Sequence, residues 1–198
     1  MKKFLNARLL KNVNIIDFKN TYIERGASIG EGTIIYPNNY IKSGAVVGKN
    51  CTLFPSNFIE DCVLGDEVKV GPCAHIRSGT KIENNAEIGN FCEIKASFIG
   101  KNTKIKHLSY IGDSEVGQNC NIGCGVVTAN FNGKIKQKTI IGEGTFVGSN
   151  TSLIAPLKLG QGCYICAGAT VDKDMNNYTF YKQNRDGFEA IRKSKKVD

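Results

Sequence analysis

The stretch IERGASIGEGTIIYPNNYIKSGAVV, residues 23–47, has an aliphatic side chain at every sixth position: Ile23, Ile29, Ile35, Ile41 and Val47. The same period continues along most of the chain, as far as residue 171. An α-helix repeats every 3.6 residues and a half-buried strand every two, so neither produces this spacing. A hexapeptide period is the signature of a parallel β-helix, a solenoid built from short strands. The sequence therefore predicts an all-β fold, a parallel β-helix of hexapeptide repeats.

Successive coils of such a solenoid bring distant residues side by side. Three hexapeptides make a coil of eighteen residues, and Arg77 and Lys95 are eighteen residues apart. Equivalent positions on neighbouring coils lie about 4.8 Å apart, so these two cations are predicted to share one ladder. Like charges in a column repel each other, and a bound anion such as a phosphate would relieve that repulsion. The alternative is a pair of solvated charges on the outer surface.

The repeat is interrupted in two ways. Three steps, which begin at Ile59, Ile94 and Ile111, have five residues instead of six and predict shortened corners. Residues 129–138 interrupt the register altogether, and a solenoid accommodates such an insertion only as an extruded loop. This loop is basic, with three alternating lysines, and loops on rigid scaffolds often carry function.

The interruptions and the period together predict a domain organisation. Residues 1–22 are expected to form an N-terminal cap or linker, because a terminal coil otherwise exposes a sheet edge. Residues 23–174 are expected to form the β-helix, with the loop 129–138 extruded from it. The period is lost from Met175, so residues 175–198 are expected to be a tail, in which residues 186–193 are predicted to form a short helix.

The composition limits the partners and the location of the protein. A chain of 198 residues is expected to form one domain, and its net charge of +8 favours anionic partners such as sugar phosphates, coenzyme A or nucleic acid. Nucleic acid is the least favoured of these, because few aromatic residues stand among the basic ones. The sequence contains no apolar run typical of a signal peptide or a membrane span. We therefore expect a cytoplasmic protein that binds neither nucleic acid nor membrane.

Eight cysteines raise the possibility of disulfides or a metal site. Four of them, Cys51, Cys92, Cys120 and Cys163, stand four residues after a repeat aliphatic, in a slot that elsewhere holds Ala, Thr or Ser. Cysteine serves there as a small hydrophobic residue, so reduced structural thiols are predicted. With only two histidines in the chain, a zinc site with three histidine ligands is not expected, and we predict no metal.

His107 is the candidate for acid–base chemistry. It stands two positions after Ile105, where the repeat turns a side chain outward or into a corner. Histidine is the side chain best suited to act as a general base near neutral pH. The alternative is an ordinary surface histidine.

Several motifs, in order, carry a family resemblance. They are VGPCAHIRSG at 70–79, GNFCEIK at 89–95, HLSYIGD at 107–113, NIGCG at 121–125, NFNG at 130–133 and VGSN at 147–150. In these motifs the chain resembles the bacterial bifunctional glucosamine-1-phosphate acetyltransferase / N-acetylglucosamine-1-phosphate uridyltransferase family. The match spans roughly residues 8 to 176 and covers the C-terminal acetyltransferase domain, which in that family is a left-handed β-helix.

The resemblance implies an acetyl-CoA-dependent N-acetyltransferase that converts glucosamine-1-phosphate into N-acetylglucosamine-1-phosphate, in the synthesis of UDP-N-acetylglucosamine for the cell wall. His107 would be the catalytic base. The positions that match the family's amino-sugar site are Arg77, Lys95, Tyr110, Asn121 and Lys136. Those that match its acetyl-CoA site are Cys124, Asn130, Phe131, Ser149 and Ala167, with Arg185 as the replacement for an arginine near the family's C-terminus. Family members are homotrimers with sites between neighbouring chains, so the loop 129–138 would reach across to a partner.

The resemblance has limits. The chain lacks the Gly-rich uridine-nucleotide motif of the family's N-terminal domain, so uridyl transfer is not expected. Cys124 stands where the family usually has alanine, and Phe131 where it commonly has tyrosine. Two other functions remain open: acetyl transfer to another amino or hydroxy sugar, and a non-catalytic scaffold, because a hexapeptide repeat is compatible with both.

Overall fold

The computed structural model describes residues 12–184 and 187–192. Within these residues the fold is all-β, a left-handed parallel β-solenoid of about 9 turns with no helix, which confirms the predicted fold class. None of the described residues forms a helix long and apolar enough to cross a membrane.

Each coil supplies one short strand to each of three sheets. The first sheet contains β1 (Asn14–Ile15), β4 (Ile34–Ile35), β7 (Thr52–Leu53), β10 (Lys69–Val70), β13 (Glu87–Asn90), β16 (Lys104–His107), β19 (Asn121–Ile122), β22 (Phe146–Val147), β25 (Tyr164–Ile165), β27 (Thr179–Asn184) and β28 (Gly187–Arg192). The second contains β2 (Tyr22–Ile23), β5 (Tyr40–Ile41), β8 (Phe58–Ile59), β11 (His75–Ile76), β14 (Glu93–Lys95), β17 (Tyr110–Gly112), β20 (Val127–Ala129), β23 (Ser152–Ile154) and β26 (Thr170–Val171). The third contains β3 (Ser28–Ile29), β6 (Val46–Val47), β9 (Val63–Leu64), β12 (Lys81–Ile82), β15 (Phe98–Ile99), β18 (Ser114–Val116), β21 (Thr139–Ile141) and β24 (Leu157–Leu159).

The repeat aliphatics form a continuous core along the solenoid axis. Ile76, Ile94 and Ile111 follow one another on the second sheet and are fully buried. Burying such a side chain contributes about 1.5–3 kcal/mol, so a column of them outweighs the weak pairing of two-residue strands. The residues on either side of each aliphatic point outward, because side chains alternate along a strand.

The four cysteines of the small slot lie inside this core. Cys51, Cys92, Cys120 and Cys163 are buried, and none of the chain's eight cysteines is in a disulfide. Burial raises the pKa of all four thiols, which keeps them in the neutral form. The prediction that these residues are small structural thiols is confirmed.

From β2 to β26, the irregular steps all fall at one corner. The five-residue steps join β8 to β9, β14 to β15 and β17 to β18, each time between the second and the third sheet. The inserted loop lies at the same corner, between β20 and β21. Over this range the corner absorbs the changes in coil length, while the other two corners keep the hexapeptide spacing around the core.

Parallel pairing extends beyond the predicted repeat bounds of 23–174. At one end β1 pairs with β4, and at the other β27 pairs with β25. The prediction of a helix at residues 186–193 was wrong, because Gly187–Arg192 forms β28, antiparallel to β27. The edge of a sheet offers unpaired backbone groups, and a strand satisfies them where a helix does not. The first eleven residues lie outside the described part of the chain.

Candidate active site

His107 ends β16 at the corner between the first and the second sheet, with its side chain exposed as predicted. Its Nδ1 lies 2.7 Å from Oδ1 of Asn90, which ends β13 directly beneath it on the preceding coil. In the tautomer protonated at Nδ1, this nitrogen donates to Asn90 and Nε2 is left to accept a proton. The arrangement suits a general base whose ring is held by a neighbour.

A single ladder at this corner contains four of the residues singled out from the sequence. The strand registers place His107, Cys124, Ser149 and Ala167 at equivalent positions on successive coils. Backbone hydrogen bonds join these coils at the corner: Gly125 N donates to His107 O at 3.4 Å, Asn150 N to Cys124 O at 2.7 Å and Gly168 N to Ser149 O at 2.8 Å. Beyond His107, the ladder therefore consists of three small side chains, those of Cys124, Ser149 and Ala167.

On the other side of His107, toward the N-terminus, lies an open cavity of about 340 Å³. Asn90, His107 and the backbone at Gly71 and Gly89 line it, together with Phe54. Its remaining lining residues are Lys69, Glu87, Ile88 and Lys106. The imidazole therefore borders open space rather than packed core.

Arg77 and Lys95 lie on one ladder of the second sheet, because β11 and β14 pair in that register. Each cation also has a carboxylate of its own. Nη1 of Arg77 donates to Glu93 at 2.8 Å, and Nζ of Lys95 donates to Asp113 at 3.0 Å. The predicted stacking is present, but the bare repulsion that suggested a bound anion is reduced by these two ion pairs.

The loop 129–138 brings a third cation to this pair. The adjacent amine of Lys136 and then the carboxylate of Asp113 raise the pKa of Lys95, while the ammonium of Lys95 lowers the pKa of Lys136. Arg77 is close enough to lower the pKa of Lys136 as well. Three cations therefore share one patch with only two carboxylates, Glu93 and Asp113, and a bound anion would balance the remaining positive charge.

The remaining predicted site residues are distributed as follows. Asn130 is buried between Tyr110 and Asp113, within the group assigned to the amino sugar, although the resemblance assigns it to acetyl-CoA. Phe131 is exposed on the loop. Asn121 is exposed on the first sheet, where it pairs in register with Lys104. It lies three residues before Cys124, the corner residue of its coil. Arg185 lies outside the described residues.

Two residues of the site were missed by sequence reasoning, namely Asn90 and Asp113. Asn90 is seventeen residues before His107, and Asp113 is eighteen after Lys95. A coil of seventeen residues follows from the five-residue step in between, so the Asn90–His107 contact was available from the sequence in principle. For the metal prediction, the described residues contain no group of three or more His, Cys, Asp or Glu side chains arranged to hold an ion.

Two family models match the chain. The model described as the GMPPB C-terminal domain matches residues 58–143, and the one described as bacterial transferase hexapeptide (six repeats) matches residues 138–173. The bifunctional protein GlmU of Clostridium botulinum (strain ATCC 19397 / Type A) is 42% identical over 215 residues, which cover 100% of this chain and 45% of that protein. The aligned part of the relative is its C-terminal part. This chain is a homologue of the C-terminal part of GlmU.

A second GlmU, from Clostridium perfringens (strain SM101 / Type A), is 50% identical over 192 residues, covering 88% of this chain and 42% of that protein. The chain thus spans less than half the length of the GlmU proteins that it matches. Among solved structures, the UDP-N-acetylglucosamine acyltransferase of Francisella novicida superposes with a TM-score of 0.64 at 19% identity, covering 89% of this chain and 69% of that one. The Arabidopsis UDP-N-acetylglucosamine acyltransferase superposes with a TM-score of 0.61 at 17% sequence identity, covering 92% of this chain and 73% of that one. At these identities the two structures establish a shared fold only.

Proposed function

We propose that the chain is an acetyl-CoA-dependent N-acetyltransferase that acts on glucosamine-1-phosphate. The observation that carries the proposal is the position of His107, held by Asn90 at one corner of the solenoid, next to the sheet that displays Arg77 and Lys95. A base and a phosphate-binding patch on adjacent faces suit an acceptor that carries an amine and a phosphate on one small ring. The homology to GlmU points to the same reaction.

The reaction requires an uncharged amine. A primary ammonium ion has no lone pair, so His107 would accept its proton at the ring nitrogen turned away from Asn90. The amine nitrogen then attacks the thioester carbonyl carbon, the nitrogen releases a second proton, the C–S bond breaks, and the coenzyme A thiolate leaves and takes up one proton. Backbone N–H groups near Cys124 would stabilise the oxyanion. No covalent enzyme intermediate is needed in this scheme.

Arg77, Lys95 and Lys136 would hold the phosphate and thereby fix the distance between the amine and His107. Orientation of this kind supplies a large part of the rate enhancement in two-substrate reactions. The ladder of Cys124, Ser149 and Ala167 would carry acetyl-CoA, because small side chains leave room for a ligand that runs along the solenoid axis. The sequence-derived assignment also includes Tyr110, Asn121, Asn130, the exposed Phe131 and Arg185.

We further propose a homotrimer with its sites between neighbouring chains. Asn121 and Phe131 are exposed, so a second chain has access to them. The loop 129–138 approaches Lys95 of its own chain, which leaves its exposed outer side available to a neighbour. Light scattering of the purified protein, which gives the mass in solution, tests this assembly directly: a mass three times 21.6 kDa is expected and a monomer contradicts it.

The activity is tested by acetyl transfer from acetyl-CoA to glucosamine-1-phosphate, with glucosamine as the acceptor that lacks the phosphate. The phosphorylated sugar is expected to be the far better acceptor. His107→Ala is expected to lower the turnover number about 10²–10⁴-fold with the fold intact, the usual cost of losing a general base.

Three outcomes would contradict the proposal in different ways. Unchanged turnover in His107→Ala would show that His107 is not the general base. Equal rates with glucosamine and glucosamine-1-phosphate would show that the cation patch does not bind the phosphate of the acceptor. A different sugar would then be favoured as acceptor, and a panel of amino and hydroxy sugars would identify it. A calorimetric titration that detects no binding of acetyl-CoA would favour a scaffold.

A further inference from the structure

Asp113 connects two parts of the site that are far apart in the sequence. It follows β17 directly, at a positive φ of 49°, and its side chain is three-quarters buried. Its two oxygens accept from Nζ of Lys95 at 3.0 and 3.3 Å, and Oδ2 also accepts from Nδ2 of Asn130. One carboxylate therefore joins the end of β14 to Asn130, at the start of the loop.

Asn130 is fixed at this place by more than one contact. It is only 7% exposed, and its Nδ2 also lies 3.3 Å from the Tyr110 hydroxyl. Both side chains pack over Gly112, where an added Cβ would approach the Tyr110 hydroxyl and come within 2.7 Å of Asn130 Nδ2. The absence of a side chain at Gly112 thus makes room for the arrangement around Asp113.

The conformation of the loop is tied to that of Asn130. Gln137 N donates to Asn130 O at 2.7 Å, and Phe131 and Lys136 face each other in an antiparallel bridge. The loop is therefore a small hairpin whose base is Asn130. Because Lys136 belongs to this hairpin, the position of Lys136 beside Lys95 depends on how firmly Asn130 is held.

Neutralisation of Lys95 does not by itself explain a carboxylate at this location. One coil earlier, Arg77 is paired with Glu93, a residue on the strand β14 itself. Asp113 also lies one coil after its cation, but it stands at a corner, and the equivalent position on the next coil is Asn130, where the loop emerges. In that place it contacts the cation and the loop base at the same time.

We propose that Asp113 is a positioning residue that fastens the hairpin 130–138 to β14 and so keeps Lys136 beside Lys95, ready to bind the phosphate of the acceptor. This inference rests on the proposed function for its ligand, but the fastening itself is a property of the chain alone. Asp113 does not touch the reacting atoms in this scheme. It acts through Lys95 and Asn130.

Asp113→Asn is the decisive variant, because it keeps the shape and removes one acceptor and the charge. The hairpin contains three lysines, so trypsin cleavage within residues 130–138 reports on its fastening without any assay of activity. We expect faster cleavage in Asp113→Asn than in the wild type, with an unchanged melting temperature. Glu31→Gln is the matched control, because it removes the carboxylate of an exposed ion pair, in which Glu31 and Lys49 lie 2.8 Å apart. It is expected to leave cleavage unchanged.

The kinetic readout separates positioning from simple charge balance, because the two predict opposite signs. Removal of a negative charge next to Lys95 would strengthen phosphate binding if Asp113 only neutralised that lysine. A positioning role predicts instead that KM for glucosamine-1-phosphate rises about tenfold, while KM for acetyl-CoA is unchanged. Asn130→Ala should raise the same KM, and the double variant should be no worse than the more severe single variant, because both act through one contact.

The outcomes are distinct. Equal rates of trypsin cleavage in Asp113→Asn and the wild type would show that Asp113 does not fasten the hairpin. A lowered KM for glucosamine-1-phosphate in Asp113→Asn would contradict the positioning role. Additive effects of Asp113→Asn and Asn130→Ala show that the two residues act separately, which also contradicts the inference. If the wild-type chain fails to acetylate the sugar phosphate, the proposed function fails, while the cleavage experiment still tests the fastening of the hairpin.

Discussion

His107 Nδ1 and Asn90 Oδ1 lie 2.7 Å apart at the ends of paired strands on successive coils. The contact fixes the plane of an exposed imidazole that the solenoid otherwise holds only through its backbone. Asn90 is in turn set by the ladder that runs through Ile88 and Ile105 in the core. The core register thus extends outward to a single side-chain hydrogen bond at the candidate base.

Asn90→Ala is expected to lower the turnover number about tenfold or more, because the ring of His107 loses the acceptor that orients it. The KM values for both substrates should change little, since Asn90 is not expected to hold either ligand. Asn90→Asp keeps an acceptor oxygen and should retain most of the activity. Steady-state kinetics of the three proteins measure this, and full activity of Asn90→Ala would show that the contact is incidental.

Binding of the sugar phosphate should weaken as the pH rises into the range where Lys136 loses its proton. Because Lys95 lowers the pKa of Lys136, the Lys136 ammonium loses its proton at a lower pH than an ordinary lysine does. The phosphate then loses one of its three cations. Calorimetric titration with glucosamine-1-phosphate, without acetyl-CoA, should show a dissociation constant that increases with pH. Lys136→Met should abolish most of that increase, whereas Lys138→Met, which removes the pairing with Glu115, should preserve it.

Cys124→Ala should leave acetyl transfer within a factor of two or so of the wild type, because this position is expected to act through its backbone and because a thiol is only slightly larger than a methyl group. Cys124 is half-buried on the ladder above His107, so the same variant also tests for a covalent role of the thiol. A large fall in turnover, or an acetylated Cys124 detected by mass spectrometry, would contradict the direct-attack mechanism.

Gly112→Ala should impair the site and spare the fold. The new methyl group would press on the ends of the Tyr110 and Asn130 side chains, and not on a neighbouring backbone. We expect a raised KM for glucosamine-1-phosphate with nearly the same melting temperature. Gly89→Ala is the contrasting variant, because its methyl group would collide with the backbone of Lys106 and should destabilise the coil itself.

Ile105→Ala should cost about 2–5 kcal/mol of stability, since this side chain is fully buried in the column between β13 and β19. Lys104→Ala, the neighbouring outward residue on the same strand, should change stability by no more than about 0.5 kcal/mol. Denaturant unfolding of the two variants measures both values. A small loss for Ile105→Ala would show that neighbouring coils repack around the cavity.

Much of the fold followed from the sequence because its signal is redundant. The period of six recurs in every coil, so the three-sheet solenoid, the stacking of Arg77 over Lys95 and the extruded loop did not depend on any single residue. The tail lacked that redundancy, and a short polar segment there was predicted as a helix although residues 187–192 form β28. The edge of the first sheet, which the sequence does not display, decided that outcome.

The sequence by itself determined the fold class, the inward column of aliphatics, the small slot of the cysteines and the outward position of His107, because all of these depend only on the phase of the repeat. Only the tertiary structure decided which outward polar groups meet. Some coils have seventeen residues and others eighteen, so partners such as Asn90 with His107 and Lys95 with Asp113 shift with each shortened corner. The approach of Lys136 to Lys95 depends further on the hairpin, which no period describes. Core packing is local and repetitive, whereas the site arises where that repetition is broken.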